Sequence, residues 1–254
     1  MRKRLPAASL AVLVTAGAWA QSGATPLDTY LDNLKTLRAS FQEVLVDSHG
    51  KESDRSTGTI LVVRPGKLRW EVRPQTGQGA AAGDAAPKAS GAGDAGGKAG
   101  AGGATGPVDA AGGTESGDQL LVVDGKNVWS YDRDLQQATV KPVDAALSAT
   151  PAMLLSGTVD VRKNFTVSPA GKRDGLEWVL VEPKGAQADF RRALFGFDAG
   201  AKGGGELKKL ILDDKLGQTA TIVFEKVVRN GPVSPDEVSF TPPAGVDVIG
   251  TPRK

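Results

Sequence analysis

The sequence predicts a mainly β protein of α+β type. We expect a single antiparallel, strongly curved sheet that forms an incomplete, unclosed β-barrel with an N-terminal helix and a short helical lid. Short segments of alternating apolar and polar residues follow one another with almost no helical periodicity between them, and nine or more strands joined in this way twist enough to curl. The predicted strands are Ser56–Arg64, Leu68–Arg73, Gln119–Val123, Asn127–Asp132, Phe165–Ser168, Leu176–Glu182, Asp189–Asp198, Glu206–Asp213 and Thr219–Val228.

The N-terminal helix is predicted over Pro26–Phe41. Thr25 and Asp28 match a capping box, with Pro26 at the first helical position. The apolar residues that recur at helical spacing are Leu27, Tyr30, Leu31, Leu34, Leu37 and Phe41. Such an amphipathic helix needs a surface on which to lie.

The predicted lid consists of two brief helices, Asp144–Leu147 and Pro151–Leu155. They are separated at Thr150-Pro151 and stopped by Gly157. The apolar side chains of this segment include Leu147, Met153, Leu154 and Leu155. A connector this apolar is expected to cover something.

Alternation along the strands indicates which residues share the apolar face of the sheet. Leu68, Trp70 and Val72 alternate with charged residues. The corresponding residues of the other strands are Trp129 with Tyr131, Phe195 with Phe197, and Ile222 with Phe224. Periodicity finds the buried face without showing whether it is filled, so the pattern fits the packed core of a sandwich as well as a hollow.

The first twenty residues are typical of a cleavable secretory signal peptide. Basic residues at positions 2–4 precede an apolar run over Leu10–Trp19, and Ala18-Trp19-Ala20 is a small-x-small cleavage site. The run is shorter than the roughly 20 residues that span a bilayer. We therefore expect cleavage after Ala20 and one domain over residues 21–254, located in the periplasm.

A Gly/Ala-rich segment interrupts this domain at residues 75–117. Of its 43 residues, 14 are Gly and 13 are Ala, so it has little apolar surface to offset the entropy of ordering. We expect a disordered insertion between two strands. The formal G-x-G-x-x-G match at Gly91–Gly96 lacks the strand and helix that a dinucleotide site requires.

Composition argues against several functional classes. The chain has no cysteine, which rules out a disulfide framework, a thiolate metal site and a lipidated N-terminal cysteine. Its 31 basic and 29 acidic residues give a net charge of +2, too small to indicate nucleic-acid binding. The single histidine, His49, lies in a predicted turn, and no G-x-S-x-G motif occurs. We predict no enzymatic activity, no cofactor and no bound metal.

Four separated motifs resemble the periplasmic outer-membrane lipoprotein carrier family (LolA). They occur in the order found in that family and, apart from the insertion, cover about Pro26 to Ile249. The motifs are Arg64–Trp70, Val123–Asp132, Gly217-Gln218 and Phe240–Val248.

The resemblance implies a monomeric periplasmic chaperone. Such a protein accepts lipoproteins from an inner-membrane ABC transporter (LolCDE-like), shields their acyl chains in a hydrophobic cavity, and delivers them to an outer-membrane receptor (LolB-like). It assigns Arg64 as a latch between the pocket mouth and the lid, and it favours the hollow over the packed core. The cavity and lid residues are then Leu68, Trp70, Trp129, Tyr131, Leu147, Met153, Leu154, Leu155, Phe195, Phe197, Ile222 and Phe224.

Alternative interpretations keep the fold and change the role. Arg64 can also be a surface residue before a Pro-Gly turn. The chain can carry or sense another acylated lipid on the same scaffold, because acyl chains look alike to an apolar wall. A sensor typically has a further C-terminal domain, and the end of the sequence at Lys254 favours the carrier.

Overall fold

The computed structural model describes residues 24–75, 118–143, 151–158, 160–185, 188, 190–200 and 205–253. The predicted signal peptide, nearly all of the Gly/Ala-rich insertion, and the predicted helix Asp144–Leu147 with its residue Leu147 lie outside these residues. The helices and strands are α1 (Pro26–Asp32), β1 (Thr36–Val46), β2 (Glu52–Val63), β3 (Lys67–Pro74), β4 (Gln119–Val123), β5 (Asn127–Asp132), β6 (Gln137–Pro142), α2 (Pro151–Ser156), α3 (Val161–Asn164), β7 (Phe165–Arg173), β8 (Leu176–Pro183), β9 (Phe190–Phe197), β10 (Leu207–Asp214), β11 (Thr219–Arg229), a 3-10 helix (Pro235–Val238) and β12 (Asp247–Ile249).

All twelve strands of the described residues belong to one sheet. Their order is β12-β6-β5-β4-β3-β2-β1-β11-β10-β9-β8-β7. Neighbours pair antiparallel, except that β12 runs parallel to β6. Because β12 and β7 stand at opposite ends of this order, the sheet has two edges and does not close. The predicted fold class is confirmed.

The tight turn between β4 and β5 shows how local sequence sets the register. Gly125 has a φ of +98°, which glycine adopts without steric cost. The Asp124 carboxylate accepts the backbone N–H groups of Lys126 and Asn127 at 2.8 and 2.7 Å. The flanking strands therefore pair as predicted from the Asp-Gly turn.

The N-terminal helix is shorter than predicted. The capping box is present, with the Thr25 backbone N–H donating to Asp28 at 2.7 Å, but α1 ends at Asp32. From Thr36 the chain is a strand in which Leu37, Ala39 and Phe41 are buried in alternation. Both flanks of this strand are occupied, by β2 and β11, so ladder hydrogen bonds replace the predicted helical ones.

Buried apolar residues form two clusters on opposite faces of the sheet. The larger covers the concave face and includes residues of every strand from β1 to β5 and from β7 to β11, together with α1 and α2. The smaller lies on the convex face, where β4, β5 and β6 pack against Phe240 and Val246 of the C-terminal segment. Strands β6 and β12 were not predicted.

None of the described helices is long and apolar enough to cross a membrane.

Candidate functional site: the concave face and its helical cover

The concave face brings together most of the residues that the sequence assigned to a cavity. They lie in one cluster, and each is between 0 and 5% exposed. The predicted residues in this cluster are Leu68, Trp70, Met153, Leu154, Leu155, Phe195, Phe197, Ile222 and Phe224. Elements far apart in sequence therefore contribute to one apolar surface.

Trp129 and Tyr131 do not belong to this surface, and their assignment to the concave side is wrong. They pair with Val122 and Leu120, and all four lie in the convex cluster. Phe240 packs on both rings, at centroid distances of 5.5 and 5.6 Å. Alternation found that the two residues share a face, but the C-terminal segment buries the other side of β5 as well, so an aromatic pair there does not mark the interior.

Phe41 is a central residue of the concave face that the helical interpretation missed. Its ring lies 4.7 Å from that of Trp70 and 6.5 Å from that of Phe224, measured between centroids. Gly58 on β2 makes room for it, because a Cβ there would lie 2.3 Å from Phe41 Cζ. The alternation of Leu37, Ala39 and Phe41 was the available signal.

Helix α2 covers the concave face at the end where β2 meets β3. Its residues Ala152, Met153, Leu154 and Leu155 are at most 3% exposed. The Gly66 N–H donates to the Ser156 carbonyl at 2.8 Å, which ties the end of the helix to the turn before β3. The second predicted lid helix is therefore present and packed on the sheet.

Arg64 lies against the C-terminal end of this lid helix. Gly157 has a φ of +73°, and a Cβ on it would stand 3.1 Å from both Nε and Nη2 of Arg64. Burial lowers the pKa of the Arg64 guanidinium, and the negative charge of Asp32 opposes that shift. Among the described residues, the buried Nη1 has no hydrogen-bond partner. The guanidinium therefore reaches the lid by packing on Gly157.

The opposite side of the concave face is closed by α1 and α3. Arg162 of α3 binds the Asp28 carboxylate of α1, with Nε donating to Oδ1 at 3.1 Å. Burial opposes ionisation of Asp28, but the hydrogen bonds from Arg162 and Thr25 outweigh it and lower the pKa of this carboxyl. Tyr30 packs on Phe197 at 5.3 Å between ring centroids. An ion pair at the rim and an aromatic contact inside thus hold α1 in place.

The concave face is closed around α2 in this structure. Leu68, Leu154, Leu155, Phe195 and Ile222 are each 0% exposed, so no space as large as a water molecule touches them. Among the described residues, side chains and α2 fill this part of the hollow that the sequence predicted. A ligand on this face therefore requires α2 to move.

A groove of about 640 Å³ lies on the convex side, between β1–β3 and the 3-10 helix. Two ion pairs line it, Arg38–Glu237 and Arg69–Glu71, each at 2.7 Å. This groove belongs to the packing of the C-terminal segment on the sheet. It is separate from the concave face.

No group of three or more histidine, aspartate or glutamate side chains suited to a metal ion occurs in the part of the chain that the structure describes.

Comparison with known proteins assigns the family. The sequence model of the outer membrane lipoprotein carrier protein LolA matches residues 114–241. An outer-membrane lipoprotein carrier protein of Dechloromonas aromatica is 34% identical over 243 residues, which is 96% of this chain and 92% of that protein. The chain belongs to the LolA family. A second relative, the outer-membrane lipoprotein carrier protein of Nitrosospira multiformis, is 31% identical and spans 90% of this chain and 88% of its own length.

Solved structures resemble the chain more loosely than these LolA relatives do. A LolA superfamily protein of Nitrosomonas europaea has a TM-score of 0.41 at 7% identity and covers 85% of this chain and 96% of its own. At that TM-score the likeness adds nothing to the assignment. The sequence relatives place the chain in the LolA family, and the strand order shows that its sheet is not closed.

Proposed function

We propose that this chain is a periplasmic carrier of lipoproteins. It accepts lipoproteins released from the inner membrane, holds their acyl chains against the concave face, and delivers them to the outer membrane. The single observation that carries the proposal is an aromatic and aliphatic face, contributed by β1–β3 and β9–β11, that one short apolar helix covers. The relatives in the LolA family bear the name of lipoprotein carriers, which supports the same function.

The need for such a carrier follows from the free energy of exposing acyl chains. A triacylated lipoprotein has on the order of 40 methylenes, and at about 0.8 kcal/mol each their exposure to water costs some 30 kcal/mol. Diffusion of the free lipoprotein is therefore negligible. A carrier that recovered this entire free energy could not release its cargo.

The closed concave face supplies the opposing free energy. In the empty protein, residues such as Leu155 and Phe195 are already buried in one apolar cluster. Acyl chains must displace those contacts, so the cost of opening the face is subtracted from the free energy gained when the chains leave water. A cargo held in this way is protected from water and still transferable.

Movement of α2 is the step that opens the site. The C-terminal end of α2 is held by the contact between Arg64 and Gly157 and by the hydrogen bond from the Gly66 N–H to the Ser156 carbonyl. We assign Arg64 the role of a latch, because guanidinium keeps its charge and its planar shape at any relevant pH. Lipid entry displaces α2 and separates this contact.

The cellular setting of the proposal extends beyond the described residues. Residues 1–20 direct export and are removed, the remainder forms one carrier domain, and residues 75–117 form an insertion within it. The donor is an ABC transporter of the inner membrane, and the acceptor is a receptor at the outer membrane. These steps suit a carrier that opens reversibly, since the same apolar face must first take up and then release the acyl chains.

Site-specific photo-crosslinking tests the location of the cargo. The chain offers a matched pair of buried tryptophans, Trp70 on the concave face and Trp129 on the convex face. We place benzoylphenylalanine at either position, check the fold by circular dichroism, and add a triacylated lipopeptide. The concave position should crosslink to acyl chains and the convex position should not. Equal crosslinking at both positions, or none, would contradict the proposal.

Mass spectrometry of lipid that copurifies from the periplasm distinguishes the cargo class. Acylated protein bound to the concave face supports a lipoprotein carrier. A glycolipid or another acylated lipid in its place would assign the chain to the alternative role on the same scaffold.

A further inference from the structure

Glu43 places a carboxyl group on the concave face, beside apolar residues of β1 and β11. It lies two residues after Phe41 in β1, and its cross-strand neighbours are Ile222 of β11 and Ser56 of β2. Directly opposite residues of a sheet project from the same face. Phe41, Ile222 and Ser56 are 1, 0 and 4% exposed, so Glu43 projects toward the residues that we propose to contact acyl chains.

The surroundings of Glu43 provide little solvation for a negative charge. Burial raises the pKa of this carboxyl, the Ser56 hydroxyl partly opposes the shift by donating to Oε2 at 3.1 Å, and the charge of Asp54 adds to it. Among the described residues, Ser56 is the one that hydrogen-bonds the Glu43 carboxyl group. An acyl chain that covered Glu43 would remove the remaining access to water.

Glu43 also lies where the buried row of β1 ends. Toward the lid, Leu37, Ala39 and Phe41 are buried; beyond Glu43, Leu45 is only partly buried. On β3 the partly buried residue is Val72, which lies level with Phe41. From Leu37 to Glu43 the strand rises about 20 Å at about 3.4 Å per residue, close to the length of an extended palmitoyl chain.

Past Glu43, the fully buried part of the apolar face that the structure describes continues on the other side of β1. There Ala220 of β11 and Leu212 of β10 remain buried. Glu43 is therefore a polar interruption in the face and limits the track that runs along β1, β2 and β3.

We propose that Glu43 determines how deep an acyl chain can extend along β1–β3, and thereby which chain lengths the carrier holds best. The inference rests on the proposed carrier function. Each methylene that leaves water for an apolar wall strengthens binding about fourfold. A methylene that instead removes water from a carboxylate gains nothing, because the carboxylate loses its solvation. Affinity should rise with chain length until the chain reaches Glu43 and then level off.

The test measures dissociation constants for three triacylated lipopeptides that bear myristoyl, palmitoyl or stearoyl chains. The variants are Glu43→Leu, Glu43→Gln, and the control Gln42→Leu. Gln42 is the preceding residue of the same strand, is exposed, and bonds Glu225 on the convex face. Glu43→Gln keeps the shape and the Ser56 contact, so it reports on this position even where Glu43→Leu folds poorly.

Wild type and Gln42→Leu should bind palmitoyl more tightly than myristoyl lipopeptide and gain nothing from stearoyl chains. Glu43→Leu should bind the stearoyl lipopeptide at least tenfold more tightly than wild type, since the two further methylenes of the one chain that lies along β1–β3 are worth about fourfold each. Glu43→Gln should show part of this gain. An unchanged length dependence in both Glu43 variants, or a steady gain through stearoyl in wild type, overturns the inference and leaves the carrier function standing. Failure of wild type to bind any of the three overturns both.

Discussion

At the scale of single residues, two polar side chains distinguish the apolar site from an ordinary core. Arg64 rests on Gly157 at the end of the lid helix, and Glu43 interrupts the concave face between Phe41 and Leu45. Apolar surroundings disfavour the charged form of both side chains, and Arg64 offsets part of this cost by packing on Gly157 and through the nearby charge of Asp32. Each is therefore suited to tune how firmly the empty carrier stays closed.

Replacing Arg64 with Leu should impair delivery more than uptake. The variant loses the contact that helps the lid compete with acyl chains, so it should bind a triacylated lipopeptide at least as tightly as wild type does. It should pass the lipopeptide to receptor-containing vesicles roughly tenfold more slowly, which corresponds to about 1.4 kcal/mol for the lost packing contact. Arg64→Lys is the control, since it keeps the charge without the planar fork. Transfer at the wild-type rate would remove the latch from the mechanism.

Replacing Glu43 with Gln should stabilise the fold at neutral pH and not in acid. Burial raises the pKa of Glu43 in the folded protein. The contribution of protonated Glu43 to the free energy of unfolding is therefore fully present below the unfolded pKa of about 4.3, and it is lost as the pH rises through the higher folded pKa. Gln mimics the protonated form at every pH. Urea unfolding should give a higher midpoint for Glu43→Gln than for wild type at pH 7 and equal midpoints near pH 3. The exposed Glu225→Gln is the control, and a pH-independent difference for Glu43→Gln would contradict the argument.

At the scale of elements, the lid is a single short helix whose side chains, rather than its length, hold it in place. Six residues are too few for a helix that is stable by itself. Met153, Leu154 and Leu155 are buried in the concave cluster, and this packing keeps α2 in place. The lid and the wall of the concave face thus share one core. Weakening the lid should strengthen cargo binding, whereas weakening the wall should reduce it.

Leu155→Ala and Phe195→Ala separate the lid from the wall. Both side chains are 0% exposed, so each variant should unfold at a lower temperature, with about 2 to 5 kcal/mol lost. Leu155→Ala weakens the closed state and should bind triacylated lipopeptide more tightly than wild type. Phe195→Ala removes wall surface and should bind it more weakly. Equal loss of affinity in both variants would show that α2 does not compete with the cargo.

At the scale of the whole molecule, the two faces of the sheet are covered by different parts of the chain. The concave face is available to cargo when α2 moves, whereas Phe240 and Val246 cover the convex side of β4–β6. The insertion leaves the sheet after Pro74 and returns before Gln119, and these strand ends flank a continuous β3–β4 ladder.

Deletion of residues 76–117 should leave thermal stability nearly unchanged. Gln75 is kept, because its N–H donates to the Arg55 carbonyl at 2.9 Å, and a short Gly-Ser bridge joins it to Asp118. In general, halving the length of a flexible loop changes the free energy of closing it by only about 0.6 kcal/mol. Calorimetry of the deletion variant should give a melting temperature within a few degrees of the full chain. A fall of about 10 °C, equivalent to several kcal/mol, would show that the segment is structural.

The amino-acid sequence by itself determined the strands whose alternation and turns agree, such as Gln119–Val123 and Asn127–Asp132 around Asp124-Gly125, and the capped start of α1. It also predicted that Leu68, Trp70, Phe195 and Ile222 are buried. Only the tertiary structure decided that Leu37 to Phe41 form a strand, because pairing with both β2 and β11 outweighs a local helical pattern. It also decided that Trp129 and Tyr131 lie beneath Phe240 on the convex side. The physical reason is the same in both cases: periodicity reports that a residue is buried, while the partner that buries it comes from distant sequence and becomes known only when the chain is folded.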